Sequence, residues 1–117
     1  MPSRAERDQA DARRALARKI RSGRRWRRCR DAFVATNPLC CDPLSHHPDR
    51  PRPAQEVHHI TPVVDDPNRA HDPDNLAPLC VRCHEAIEHL HRVGRPTRQL
   101  FAAFQQSRSR HEEQLTA

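Results

Sequence analysis

Between Glu56 and His91 the chain sets a doubled histidine, His58-His59, an Asp74-Asn75-Leu76 turn, and a Cys80-x-x-Cys83 pair followed at once by His84. Imidazole, amide and thiolate groups at this density form the donor set of a metal site. The spacing of Cys80 and Cys83 lets both thiolates reach one tetrahedral zinc. A redox pair is the other use of Cys-x-x-Cys, but no strand and long helix flank this one in the thioredoxin-like manner. A closed zinc site needs two more ligands. Cys40 is the natural third. For the fourth, a repeat of the Cys-x-x-Cys spacing would fall on Pro43, which leaves Cys41, His46 and His47. Adjacent residues rarely share one tetrahedral ion, which disfavours Cys41 beside Cys40. The Asp42-Pro43 turn then makes His47 or His46 the better closure, and of the two His47 is the one expected.

His58, His59, Asn75 and His84 form a second group. Neighbouring side chains of a strand point to opposite faces, so adjacent histidines can divide two jobs, one reaching a metal and the other facing a reaction path. His84 follows a cysteine pinned by zinc, so one metal would fix the scaffold that presents ligands for another. Each histidine alone reads as a solvated polar residue, as nine histidines in such a chain make some coincidence certain. The ordered set is what carries the signal.

The elements that must position these groups are short. Hydrophobic residues make up 35% of the 117 residues and aromatics 3%, a thin supply for a core, which a structural metal commonly supplements at this size. Residues 1–21 are rich in alanine and arginine, with Ala12, Leu16 and Ile20 on one stripe. This predicts a frayed or disordered arm that becomes helical on a polyanion. A helix is expected from Arg24 to Ala35, with Trp26, Cys29 and Phe33 facing the core and arginines outward. Asn37-Pro38 ends it. Pro38 to Pro53 reads as a loop and Ala54 to Ile60 as a strand, followed by a polar loop to Asp74. Asn75 to Leu79 looks too short for more than a turn. A further helix is expected from Cys83 to Arg92, stopped by Gly94-Arg95-Pro96. The last runs from Thr97 to Arg110, with Leu100, Phe101 and Phe104 available to the domain or to a partner.

Net charge is +6 and the isoelectric point is about 9.9, and Lys19 is the only lysine among the cations. Arginine suits phosphate, so polyanion binding is favoured. No apolar run is long enough to span a membrane, and the N-terminus lacks the apolar stretch of a signal peptide. Five cysteines, an odd number, with no export signal point to metal binding in a reducing cytoplasm over a disulfide framework.

The order Cys40, His58-His59-Ile60, Asp74-Asn75-Leu76, Leu79-Cys80-x-x-Cys83-His84 resembles the HNH endonucleases, above all the small phage and prophage members with a zinc finger. Trp26, Phe33 and Asn37-Pro38-Leu39-Cys40 extend the likeness upstream. The resemblance implies an α+β fold, a small ββα-metal core with a structural zinc site flanked by N- and C-terminal helices. The chain then divides into a basic arm (1–23), a nuclease domain (24–93) and a helical extension (94–117). It also implies residue roles: His59 as general base, Asn75 holding the loop and orienting its imidazole, and His58 and His84 holding a catalytic divalent ion. Cys40, Cys80 and Cys83 match the zinc-finger cysteines, and a Cys-x-Asp-Pro loop followed by histidine supports His47. The implied cofactors are Zn2+ and one of Mg2+, Mn2+, Ni2+ or Co2+. The implied activity is hydrolysis of DNA phosphodiester bonds, by nicking or cutting with low sequence specificity. Packaging proteins such as a phage terminase are the implied partners. The alternatives are a non-catalytic zinc-stapled nucleic-acid-binding module, or an adaptor to a larger nuclease or terminase.

Overall fold

The computed structural model describes residues 1–116, with side chains described as far as Arg110. Its centre is a two-stranded antiparallel sheet, β1 (Glu56–His59) against β2 (Leu76–Leu79), with Glu56 opposite Leu79 and His59 opposite Leu76. Helix α3 (Val81–Arg92) follows β2 directly. Helices α1 (Arg4–Arg21) and α2 (Arg24–Thr36) precede the sheet, and a 3-10 turn (Arg98–Phe101) leads into α4 (Ala102–Thr116).

Residues 76–79 therefore form a strand, not the turn expected from their shortness. Leu-Ala-Pro-Leu has no β-branched residue, and its proline argues against a strand. The register explains the tolerance. The Ile60 amide donates to the Asn75 carbonyl at 2.8 Å, and bonded and non-bonded pairs alternate along an antiparallel ladder. Pro78, opposite Val57, falls at a non-bonded position, where a missing N–H costs the ladder nothing. Its carbonyl accepts from the Cys41 amide at 2.9 Å, tying the cysteine loop to the outer edge.

Residues 4–21 form a helix, where a frayed arm was expected. The Ser3 hydroxyl accepts from the Glu6 amide at 3.1 Å and the Glu6 carboxylate accepts from the Ser3 amide at 3.5 Å, a reciprocal cap that satisfies two orphan donors. The docking face keeps only Ile20 of the expected stripe. Leu16 is 46% exposed, whereas Ala17 is 1% exposed and packs, with Ile20, on Val63, Val64 and Ala70. A small residue permits close approach to the loop after β1, and that contact holds the helix.

Helix α2 turns Trp26 and Phe33 inward onto Leu76, in line with the expected face. The C-terminal segment is used inside the chain. Phe101 is fully buried with Ile60, Leu79 and Ile87, and Leu100 and Phe104 pack against the same cluster. Phe101 is thus a core residue and not a surface for docking a partner. Gln105 and Arg108 of α4 bind the Asp74 carbonyl and carboxylate at 3.2 and 2.7 Å, which fixes the turn before β2.

Candidate metal and reaction sites

Two segments of the chain, the loop 40–47 and the start of α3, bring together Cys40, His47, Cys80 and Cys83, whose donor atoms all lie within 4.8 Å of one another. Cys80 is the N-cap of α3, and its sulfur accepts from the Cys83 amide at 3.5 Å. The Asp42 amide points at the Cys40 sulfur at 3.4 Å. Asp42 adopts a positive φ of 47°, and its carboxylate accepts from the amides of His46 and His47 at 2.7 and 3.0 Å. That turn swings the His47 ring inward, its Nε2 lying 3.5 Å from Cys83 Sγ and 3.9 Å from Cys80 Sγ. A tetrahedron with Zn–S bonds of about 2.3 Å has edges of roughly 3.8 Å, so the donor spacing fits that ion. The alternatives His46 and Cys41 stand outside the converging set; burial pushes the Cys41 thiol up to about 12.

The protonation of the cluster points the same way. Burial raises Cys83 and Cys40 above the ordinary thiol range, with neighbouring Cys80 and Cys40 adding to the rise at Cys83. Burial also works to raise Cys80, but the Cys83 amide and the adjacent thiols outweigh it and bring Cys80 below its ordinary value. A divalent cation relieves this opposition by stabilising every thiolate together.

Along β1 the period of two separates the doubled histidine. His58 faces α3 and the C-terminal segment: its ring stacks on Phe101 at 5.1 Å and meets the His84 ring edge-on at 5.8 Å. Burial, then the nearby His84, His59 and His91, lowers its pKa to about 3. It is a neutral imidazole with a lone pair to give. The Nδ1 of His84 is paired with the Glu56 carboxylate, and its Nε2 lies 3.3 Å from Glu88 Oε1. With Nδ1–H donated to Glu56, Nε2 keeps its lone pair and faces the Glu88 carboxylate as a second electron-pair donor. The donor atoms of His58, His84 and Glu88 lie within 4.8 Å of one another. Two imidazoles and a carboxylate fit a divalent ion that keeps open positions.

Neither carboxylate was picked out from the sequence, though both left a signal. Glu56 is two residues before His58 and shares its strand face. Glu88 is four residues after His84 and shares its helix face.

His59 points the opposite way. Its Nε2 lies 3.0 Å from the Ala70 carbonyl, which can only accept, so that nitrogen carries the proton and Nδ1 is left as the acceptor. Trp26 stacks against the ring at 4.4 Å. Burial lowers the pKa of His59, the Ala70 carbonyl opposes the shift, and the Arg21 charge adds to it.

Asn75, 1% exposed, makes no hydrogen bond to His59. Its amide bridges the Thr61 amide and carbonyl at 2.8 and 3.0 Å and reaches the Arg69 carbonyl at 3.3 Å. These bonds tie Asn75 to the loop, and the partner of the imidazole is Ala70, the residue after Arg69. His58, His59, His84, Glu88 and Arg21 line one cleft of about 430 Å³.

A strand pair followed by a helix, with a thiol-rich knuckle beside a histidine cleft, defines the ββα-metal class of nucleases. The family model for HNH endonuclease matches residues 39–90. A crystal structure of the HNH endonuclease of the deep-sea thermophilic bacteriophage GVE2, with manganese ion, is 34% identical to this chain, with a TM-score of 0.63. The match covers 76% of this chain and 98% of that one. None of the curated proteins matches. The chain belongs to the HNH endonuclease family, enzymes that hydrolyse phosphodiester bonds. Among the described residues no helix is long and apolar enough to cross a membrane.

Proposed function

We propose that this protein is a metal-dependent endonuclease that nicks or cuts DNA with low sequence specificity. On this reading His58, His84 and Glu88 hold one divalent cation, and Cys40, His47, Cys80 and Cys83 hold a structural zinc. The observation that carries the mechanism is the His59–Ala70 contact at 3.0 Å. It commits Nε2 as a donor and leaves Nδ1 free to take a proton within the same cleft as the cation donors.

The reaction follows from these placements. Nδ1 of His59 accepts a proton from a water as the water oxygen bonds to phosphorus. The bond from phosphorus to one bridging ester oxygen breaks, the electron pair stays on that oxygen, and the oxygen takes up a proton from solvent water. A divalent cation held by His58, His84 and Glu88 would supply charge neutralisation. Trp26 packs on the His59 ring and keeps it from rotating, Asn75 holds the loop that carries Ala70, and Glu56 holds the ring of His84. The relative solved with manganese ion supports Mn2+ as the test cation, and the carboxylate of Glu88 suits Mg2+ as well; Ni2+ and Co2+ suit the imidazoles.

Substrate attraction comes from the basic face of α2, where Arg24, Arg25, Arg27 and Arg28 are exposed. Contacts of this kind are made to the backbone and not to base edges, so binding falls steeply with salt. A link to phage DNA packaging, with a terminase as partner, and action in the cytoplasm rest on the family resemblance. Plasmid nicking tests the activity, comparing wild type with His59→Ala in Mg2+, Mn2+ or EDTA. The expected result is nicking by wild type that needs the cation and is lost in His59→Ala. Equal cleavage by both proteins, or cleavage in EDTA, contradicts the mechanism.

A further inference from the structure

The cleft holds one cation-bearing side chain that the mechanism above leaves without work. Arg21 is the last residue of α1, well before the segment matched by the family model. It nonetheless lines the same cleft as His58, His59, His84 and Glu88. The placement follows from how α1 is docked. Ala17 and Arg21 are four residues apart and so share a helix face, and Ala17 is the residue buried on Val63 and Ala70. An arginine one turn further along a docking face is carried over the protein and not away from it.

Two features fix its reach. The link from α1 to α2 is only Ser22-Gly23, and a Cβ at Gly23 would lie 3.3 Å from the Ile20 carbonyl oxygen, so the joint is tight. Ala70, against which α1 packs, also gives the carbonyl that pins His59. One loop thus sets the position of both the proton acceptor and the arginine. Arg14, Arg30, Arg69 and Arg108 are each paired with an aspartate. Arg21 has no carboxylate partner among the described residues.

We propose that Arg21 grips the scissile phosphate: its guanidinium donates to the non-bridging oxygens and stabilises the charge that builds on them as water attacks. A planar fork with five donors matches two phosphate oxygens in a way an ammonium does not. Helix α1 is then part of the active site and not a passive arm. The plainer role for a cation at this position is to complement the helix dipole, a small effect on stability, and it makes different predictions.

The proposal rests on the endonuclease reading, and the experiment separates the two. Nicking of supercoiled plasmid in Mn2+ is measured at saturating DNA for wild type, His59→Ala, Arg21→Ala and Arg21→Lys. Melting temperature, zinc content and Mn2+ affinity by calorimetry are recorded for each protein. Cleavage by wild type and none by His59→Ala establishes the parent reading. Arg21→Ala is then expected to lose about 10²–10³-fold in kcat, as when one donor to a developing oxyanion is removed. Arg21→Lys should lose at least about tenfold, since it keeps the charge but not the fork. Melting temperature, zinc content and Mn2+ affinity should stay at wild-type values. A near-wild-type rate for Arg21→Ala or Arg21→Lys overturns the proposal, as does a rate loss that tracks a fall in melting temperature or Mn2+ affinity. Failure of wild type to cleave overturns it along with the parent reading.

Discussion

The two candidate metal sites use the same residue, histidine, in opposite ways. In one, His47 joins three cysteines in a knuckle where Cys80 and Cys83 are almost wholly buried. In the other, His58 and His84 join Glu88 in an open cleft, backed by Glu56 and flanked by His59 and Arg21. A closed set of soft donors suits a metal bound for its folding energy. An open set of imidazole and carboxylate keeps room for a substrate oxygen. The difference teaches that α3 serves two sites from one end: Cys83 and His84 are consecutive, yet one faces the knuckle and the other the cleft.

The comparison predicts that damage to the two sites should look different. The largest effect is expected at the cysteine knuckle. Cys83→Ser removes a buried donor from a knuckle whose zinc would contribute on the order of 10 kcal/mol of apparent folding energy. Circular dichroism should show a largely unfolded protein, and a folded, zinc-free variant would break the distinction. At the cleft, His59→Ala should keep the melting temperature and the zinc while losing about 10²–10⁴-fold in nicking rate.

Smaller still, Glu56→Gln should weaken Mn2+ binding by about 10–100-fold, as losses of the partner of a metal-bound histidine do. Calorimetry on zinc-loaded protein measures this. Because Glu56 touches His84 and none of the thiols, the zinc content should not change. The smallest effect concerns DNA attraction. Arg27→Ala on the outer face of α2 should weaken duplex binding modestly and reduce the salt slope by about one, with no change in the rate at saturating DNA.

Much of this was legible because metal ligands obey spacing rules that do not need a fold. Cys80-x-x-Cys83 and the adjacent His84 stand out by spacing, and adjacency to Cys40 disfavours Cys41; the Asp42-Pro43 turn left His46 and His47 both open, and the family resemblance favoured His47. The strand β2 was not legible. Leu76-Ala77-Pro78-Leu79 carries no strand signal, and only pairing with β1 makes Pro78 acceptable. Helix α1 was misread because a single small residue, Ala17, replaces the broad apolar stripe that sequence periodicity detects. Glu56 and Glu88 were passed over since a carboxylate on a polar face is usually solvated. Their meaning depends on His84 lying between them, a relation across two elements. Arg21 is the extreme case, one arginine among many until α1 is docked.

The central claim is two cation sites with separate ligands, and a metal count on His84→Ala tests it most directly. Purified protein is analysed for zinc, then titrated with Mn2+. Wild type should hold about one tightly bound zinc and take up one Mn2+, and His84→Ala should keep the zinc and lose the Mn2+. Loss of zinc from His84→Ala, or Mn2+ uptake that His84→Ala leaves unchanged, would contradict the account.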